Sequence, residues 1–167
     1  SETSDEWIQR RTGIKERRYV PNDGTVGTSD LALHATKRAL ADANMEPHEI
    51  DCIIFATLSP DIHFPGTAVF LQKKLGIAAK TNCACFDIRQ QCSGFVYGLQ
   101  MADAFIKTGM YKRILLVGAE THSHSLDFTT RGRDVMVLFG DGAGAVVLGP
   151  SDSDDPRSGV VYTSVHA

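Results

Sequence analysis

Two stretches of this chain, Ile50 to Thr57 and Lys112 to Ala119, are built around near-continuous apolar runs with no alternation of polar positions. A strand with one wet face alternates apolar and polar side chains, so these runs predict strands covered on both faces. Helical segments lie between and around them. Such alternation predicts a mostly parallel α/β sheet with helices on both faces.

Thr3-Ser4-Asp5-Glu6 ahead of Trp7-Ile8 reads as a capping box, with Thr3 as N-cap and Glu6 reaching back, and predicts a short helix ending before Gly13. Residues 14–27 hold Pro21, Asn22, Gly24 and Gly27 and predict a loop. Thr28 or Ser29 caps a helix to about Asn44, with Leu31, Ala32, Ala35 and Ala39 inward and Asp30, Lys37, Arg38 and Asp42 in water. A helix over Pro65–Leu75 is stopped by Gly76, a strand covers Cys83–Ile88, and a helix over Cys92–Lys107 is closed by Gly109. The apolar runs Val135–Phe139 and Gly144–Leu148 are joined by Gly140-Asp141-Gly142, and Gly159–His166 predicts one more strand. The Cys92 helix carries Phe95, Val96, Leu99, Ala102 and Ile106 on one side and Tyr97, Met101, Ala104 and Phe105 over much of the other. A helix apolar nearly all round predicts enclosure between layers, and Gly94 and Gly98 allow backbones to approach it closely.

At 167 residues and 43% hydrophobic content the chain supports a real core. A net charge of −3 argues against nucleic-acid binding. No run approaches the roughly 20 apolar residues of a membrane span, and no signal peptide opens the sequence. Ser1-Glu2-Thr3 reads as mid-sequence, and Ser151 to Ser158 reads as an exposed loop or linker. Cys52, Cys83, Cys85 and Cys92 lack the spacing of a disulfide scaffold and predict reduced thiols in a cytoplasmic protein. Cys83 and Cys85 share a strand face, but no Cys or His pair completes four ligands, so no metal site and no cofactor are expected.

Cys92 stands where an apolar strand turns into a helix. A thiol there faces unpaired backbone N–H groups and the positive end of the helix dipole, which favour the thiolate over the thiol. The bland alternative is an inert buried cysteine. Gly140-Asp141-Gly142-Ala143-Gly144 has the look of a dinucleotide loop, but Val146-Val147-Leu148 after it reads as strand, not helix, so a structural glycine turn near the site is expected. His122 and His124 follow a strand end, where they either orient Cys92 as a base or stay solvated; solvated loop histidines are the expectation.

Four blocks in order resemble β-ketoacyl-acyl-carrier-protein synthase III, a condensing enzyme of the thiolase-like superfamily. They are Thr3 to Ile8 with Arg11-Thr12-Gly13-Ile14, His63-Phe64-Pro65, Cys92-Ser93-Gly94-Phe95, and Phe139 to Ala145. The resemblance runs from Thr3 to about Pro150. It implies residues 1–150 as the N-terminal half of a duplicated αβαβα architecture, with 151–167 leading to a second half. Family members are about twice this length, in keeping with the limit on single cores, and their catalytic His and Asn lie in that other half. The resemblance further implies acyl-CoA as substrate, attacked by the Cys92 thiolate. Malonyl acyl-carrier protein then loses carbon dioxide, and its enolate attacks the acyl-cysteine to initiate fatty acid synthesis. It matches Trp7 and Arg131 to an adenine sandwich, Arg11 to the nucleotide phosphates, Thr3 to a hydroxyl contact, and Gly132 to the same CoA site. Phe64 matches an aromatic that closes the partner subunit's acyl pocket in a homodimer, and Phe139 belongs to the acyl pocket. From the residues alone, Trp7 and Phe64 are ordinary core and Arg131 a surface charge.

The chain departs from the family where Gln90 and Gln91 replace small residues, where Arg133 and Asp134 lengthen the stretch before Phe139, and over Ala78–Asn82. These departures leave room for a specialised condensing enzyme or acyltransferase of secondary metabolism. A non-catalytic CoA-binding domain, or a Cys–His hydrolase using His122 or His124, are the readings from other classes.

Overall fold

The computed structural model describes residues 3–155 and 157–166; the Ser1-Glu2 start, Pro156 in the charged loop and Ala167 lie outside the described residues. Helix α1 is Asp5–Thr12, and its cap is Ser4, not Thr3: the Ser4 hydroxyl accepts from Trp7 N at 3.1 Å. With the cap one residue later, the third helical residue is Trp7, and the Thr3–Glu6 box does not form. Gly13 ends the helix in the left-handed region at φ 72°.

Helix α2 is Thr28–Asp42, opened by Gly27, whose N–H donates to Asp30 Oδ2 at 2.9 Å. Its buried stripe is Thr28, Ser29, Ala32, Thr36 and Leu40, while Leu31, Ala35 and Ala39 are only half-buried. The shift has a polar cause. Thr28 Oγ1 bonds the Ser59 carbonyl and Thr121 Oγ1, which draws the helix start inward, and Asp30 is held by Lys74.

Strands β1 (Cys52–Ala56), β2 (Ala84–Ile88), β3 (Ile114–Thr121) and β4 (Asp141–Leu148) make one sheet in the order β2-β1-β3-β4. β1 is parallel to β2 and β3, with Cys52 opposite Ala84 and Ile114; β4 returns antiparallel, Gly144 opposite Gly118. The two-residue period of a strand divides the core. Ile53, Phe55, Leu115 and Val117 pack with Leu40 of α2 and with Ala68 and Leu71 of helix α3 (Ala68–Lys74). Cys52, Ile54, Ile114 and Leu116 pack with Ala102 of helix α4 (Gly94–Lys107). Both faces of the sheet are therefore covered, which is why β1 and the start of β3 show no alternation.

The expected enclosure of α4 is not formed within this chain. Gly94, Gly98 and Ala102 are buried on the sheet, whereas Val96 is 48% exposed. A Cβ on Gly98 would stand 2.5 Å from Leu116 Cδ1 and 3.2 Å from Ile88 Cδ1. Gly98→Val should therefore destabilise the fold by about 1–3 kcal/mol through overpacking, read as a lower denaturant midpoint. An unchanged midpoint would mean that α4 sits looser than this.

The apolar run Val135–Phe139 begins in a short helix, α5, which covers Arg133–Met136. Residues 160–166 carry no regular element, so the strand expected over Gly159–His166 is not formed. No helix is long and apolar enough to cross a membrane among the described residues.

Candidate active site

Cys92 lies in a 3-10 turn, Gln91–Ser93, between the end of β2 and the start of α4, two residues earlier than the helix proper. Gln91 before it has φ 43°, in the left-handed region that a side chain occupies at a cost of roughly 1–2 kcal/mol. Strained backbone at such a point is a hallmark of functional turns. Ser93, the residue that precedes α4, spends its hydroxyl on the Gln90 carbonyl at 2.9 Å, and no side chain caps the helix. The amides at the start of α4 are thus left without a side-chain acceptor beside an exposed thiol.

The other cysteines differ. Cys52 is fully buried, and burial pushes its thiol up to about 12. Cys83 is raised and Cys85 lowered by the hydrogen bond between their two thiols. The pair shares one side of the strand, as expected, and no group of three His, Cys, Asp or Glu comes together as a metal site among the described residues.

A cleft of about 330 Å³ opens at Cys92, lined by Leu58, Gln91, Glu120, His122, Leu138, Phe139 and Gly140. These residues gather at the carboxyl ends of β1, β2 and β3, with Glu120 still inside β3, where ligands of parallel sheets bind. Glu120 organises one wall. Its carboxylate accepts from Leu58 N at 2.8 Å, Ser59 N at 3.0 Å, Ser59 Oγ at 2.5 Å and Thr57 Oγ1 at 3.1 Å. His122 Nε2 lies 3.7 Å from the same carboxylate, and its ring meets Phe139 edge-on at 4.7 Å. The histidine side chain is only 19% exposed, so the expectation of a solvated loop residue is corrected; His124 is the exposed one. The Gly140 turn does border the site, and Asp141 anchors it. Burial raises the Asp141 carboxyl, but donors Ser123 Oγ, Ser123 N and Val20 N outweigh burial and hold it below its ordinary value.

A second cluster forms at Trp7. The guanidinium carbons of Arg11 and Arg133 each lie 4.0 Å from the indole centroid. Arg131 does not reach the ring. Its Nε bonds Asp127 Oδ2 at 2.9 Å and its side chain is 90% exposed. Asp127 also takes Thr129 N at 2.9 Å and Thr129 Oγ1 at 2.6 Å, closing a tight turn. Gly132 lies against the Asp127 carbonyl with no room for a Cβ. This turn pins Arg131 outward and delivers Arg133, two residues on, to the indole.

The family model for 3-oxoacyl-(acyl-carrier-protein, ACP) synthase III matches residues 86–167. A beta-ketoacyl-(acyl-carrier-protein) synthase III of Caldanaerobacter subterraneus subsp. tengcongensis is 53% identical over 152 residues, covering 91% of this chain and 44% of that protein. Over nine-tenths of its length the chain is similar to 3-oxoacyl-acyl-carrier-protein synthase III. The synthase III of Aquifex aeolicus VF5 superimposes with a TM-score of 0.82 at 47% identity, over 91% of this chain and 47% of its own. The priming β-ketosynthase of the R1128 polyketide pathway gives 0.81 at 35% identity, over 91% and 43%. The fold is therefore thiolase-like, and the chain spans under half the length of these synthase III relatives.

Of the residues singled out by resemblance to synthase III, Cys92 and Phe139 share the cleft, and Trp7 and Arg11 share the stack. Phe64 stands apart at 91% exposed, in neither group. Thr3 lies one residue outside the α1 cap. Glu120, Leu58, Leu138 and Arg133 escaped the sequence reading. A carboxylate ending an apolar strand was the available signal for Glu120; nothing local marked the others.

Proposed function

We propose that this chain carries the acyl-accepting half of a synthase III that condenses an acyl-CoA primer with malonyl acyl-carrier protein in the cytoplasm. The Cys92 thiolate attacks the thioester carbonyl, the C–S bond to CoA breaks, and CoA leaves as the thiol after taking a proton. The Cys92 backbone N–H supplies one donor to the oxyanion. The enolate formed as malonyl carrier protein loses carbon dioxide then attacks the acyl-cysteine, giving a β-ketoacyl carrier protein and freeing Cys92. The adenine stacks at Trp7, with Arg133 taking the place that the resemblance gave to Arg131, while Arg11 meets the nucleotide phosphates and Thr3 makes a hydroxyl contact. Phe139 borders the acyl chain. The exposure of Phe64 and the position of β2 at the edge of the sheet among the described residues support the homodimer reading, because an edge strand invites a partner.

One observation carries the proposal: an exposed thiol at the uncapped start of α4, inside a cleft at the carboxyl ends of parallel strands. The test is a condensation assay on the full gene product. Product must require both acetyl-CoA and malonyl carrier protein. A second reading is favoured by His122, which places a Cys, a His and a Glu in one cleft. A Cys–His hydrolase would release free acid without any carrier protein and would fail in His122→Ala, and that outcome would displace the condensing reading.

A further inference from the structure

Arg17 lies in the extended stretch that follows α1 with its Trp7 and Arg11, yet its half-buried guanidinium makes three bonds to one segment more than a hundred residues on. Nη1 donates to the carbonyls of Met136 at 3.1 Å and Phe139 at 2.8 Å, and Nη2 to that of Val137 at 2.7 Å. The neighbouring backbone follows the same path. Asp141 N donates to the Arg18 carbonyl at 2.8 Å, Val20 N to Asp141 Oδ2 at 2.8 Å, and a Cβ at Gly140 would touch Arg17 Cβ at 3.3 Å.

The segment that Arg17 grips has two working ends. Arg133 at its start lies on Trp7, and Leu138, Phe139 and Gly140 at its end line the Cys92 cleft. Arg17 itself follows Trp7 and Arg11 on one continuous stretch of chain. One planar fork of donors therefore ties the stretch carrying the indole to the stretch carrying both the second guanidinium and the acyl wall. Charge-assisted bonds of this kind are stronger and more directional than neutral ones, and a fork fixes orientation as well as distance.

We infer that Arg17 is a positioning residue that sets the register between the nucleotide end and the acyl end of the substrate path. The inference rests on the condensing function proposed above, in which one CoA thioester spans both ends. The guanidinium touches no reacting atom; it acts through Arg133 and Phe139. Its signature is a loss specific to substrates that use both ends at once.

The test compares acetyl-CoA with a short acetyl thioester that lacks the nucleotide, in the full gene product and its Arg17→Gln and Arg17→Lys variants. For each, the rate of acyl-Cys92 formation and the melting temperature are read. The wild-type preference for acetyl-CoA over the short thioester should fall about tenfold in Arg17→Gln, since misplacement by about an ångström costs up to about a hundredfold. Arg17→Lys should fall between, because an ammonium keeps the charge but cannot bond three carbonyls in one plane. If both substrates slow equally while only the melting temperature falls, Arg17 is a structural brace and the inference is overturned. Should Arg17→Gln not fold, the same ratio in Arg17→Lys decides: an unchanged preference refutes the positioning role. If the wild type forms no acyl-cysteine from either thioester, the condensing function itself fails, which is a separate result.

Discussion

Cys92→Ala in the full gene product should abolish acyl transfer from acetyl-CoA and lower kcat/KM for condensation by about a thousandfold or more. Every later step needs a carbonyl held on that sulfur, and no other thiol is placed to substitute. Cys52 is fully buried and raised to about 12, Cys83 is buried and raised, and Cys85, though lowered by its hydrogen bond with Cys83, packs against the core within β2 and outside the Cys92 cleft. Cys92→Ser should be nearly as inactive, because a hydroxyl yields its proton far less readily than a thiol. The loss should not come from unfolding. Cys92 is exposed, and substitutions at exposed positions change stability by about 0.5 kcal/mol or less. Equal melting temperatures beside a lost acyl adduct would separate chemistry from fold.

Trp7→Ala should weaken CoA binding by about 5–150-fold, the factor that corresponds to the roughly 1–3 kcal/mol of one aromatic stacking face. The indole is the surface on which Arg11 and Arg133 converge, so its removal takes the base platform away and leaves two cations without the ring they share. Trp7→Phe should recover part of the loss, since a smaller ring still offers a face. Titration calorimetry with CoA reads the effect, and a nucleotide-free acetyl thioester is the control that should react with Cys92 at an unchanged rate. CoA affinity that survives Trp7→Ala intact would move the nucleotide elsewhere. Arg131→Ala offers an internal contrast: with its guanidinium on Asp127, it should matter less than Arg133→Ala.

The sheet was legible where burial alone decides conformation. Ile53 to Phe55 and Leu115 to Val117 are covered on both faces, so their composition announces β1 and β3 directly. Helix ends were less so. Thr3 and Ser4 are adjacent hydroxyls that both suit a cap, and only the direction of the chain picks Ser4. The stretch Val135 to Phe139 is an apolar run whose conformation its composition leaves open, and three bonds from Arg17 to its carbonyls hold a turn there. A donor more than a hundred residues away leaves no local trace. The same holds for Arg133: the motif points to Arg131, and the Asp127 turn, closed against Gly132, hands the indole to the later arginine. For α4, composition suggested cover all round, whereas this chain provides it on the sheet side only.

The most direct trial of the whole account is a mass measurement on the intact full gene product after mixing with acetyl-CoA, followed by peptide mapping. One acetyl group should appear per chain, on the peptide carrying Cys92, and it should disappear when malonyl carrier protein is added. An unmodified protein, or an acetyl group mapped to Cys85 or a lysine instead, would contradict the claim that the cleft at the start of α4 holds the nucleophile.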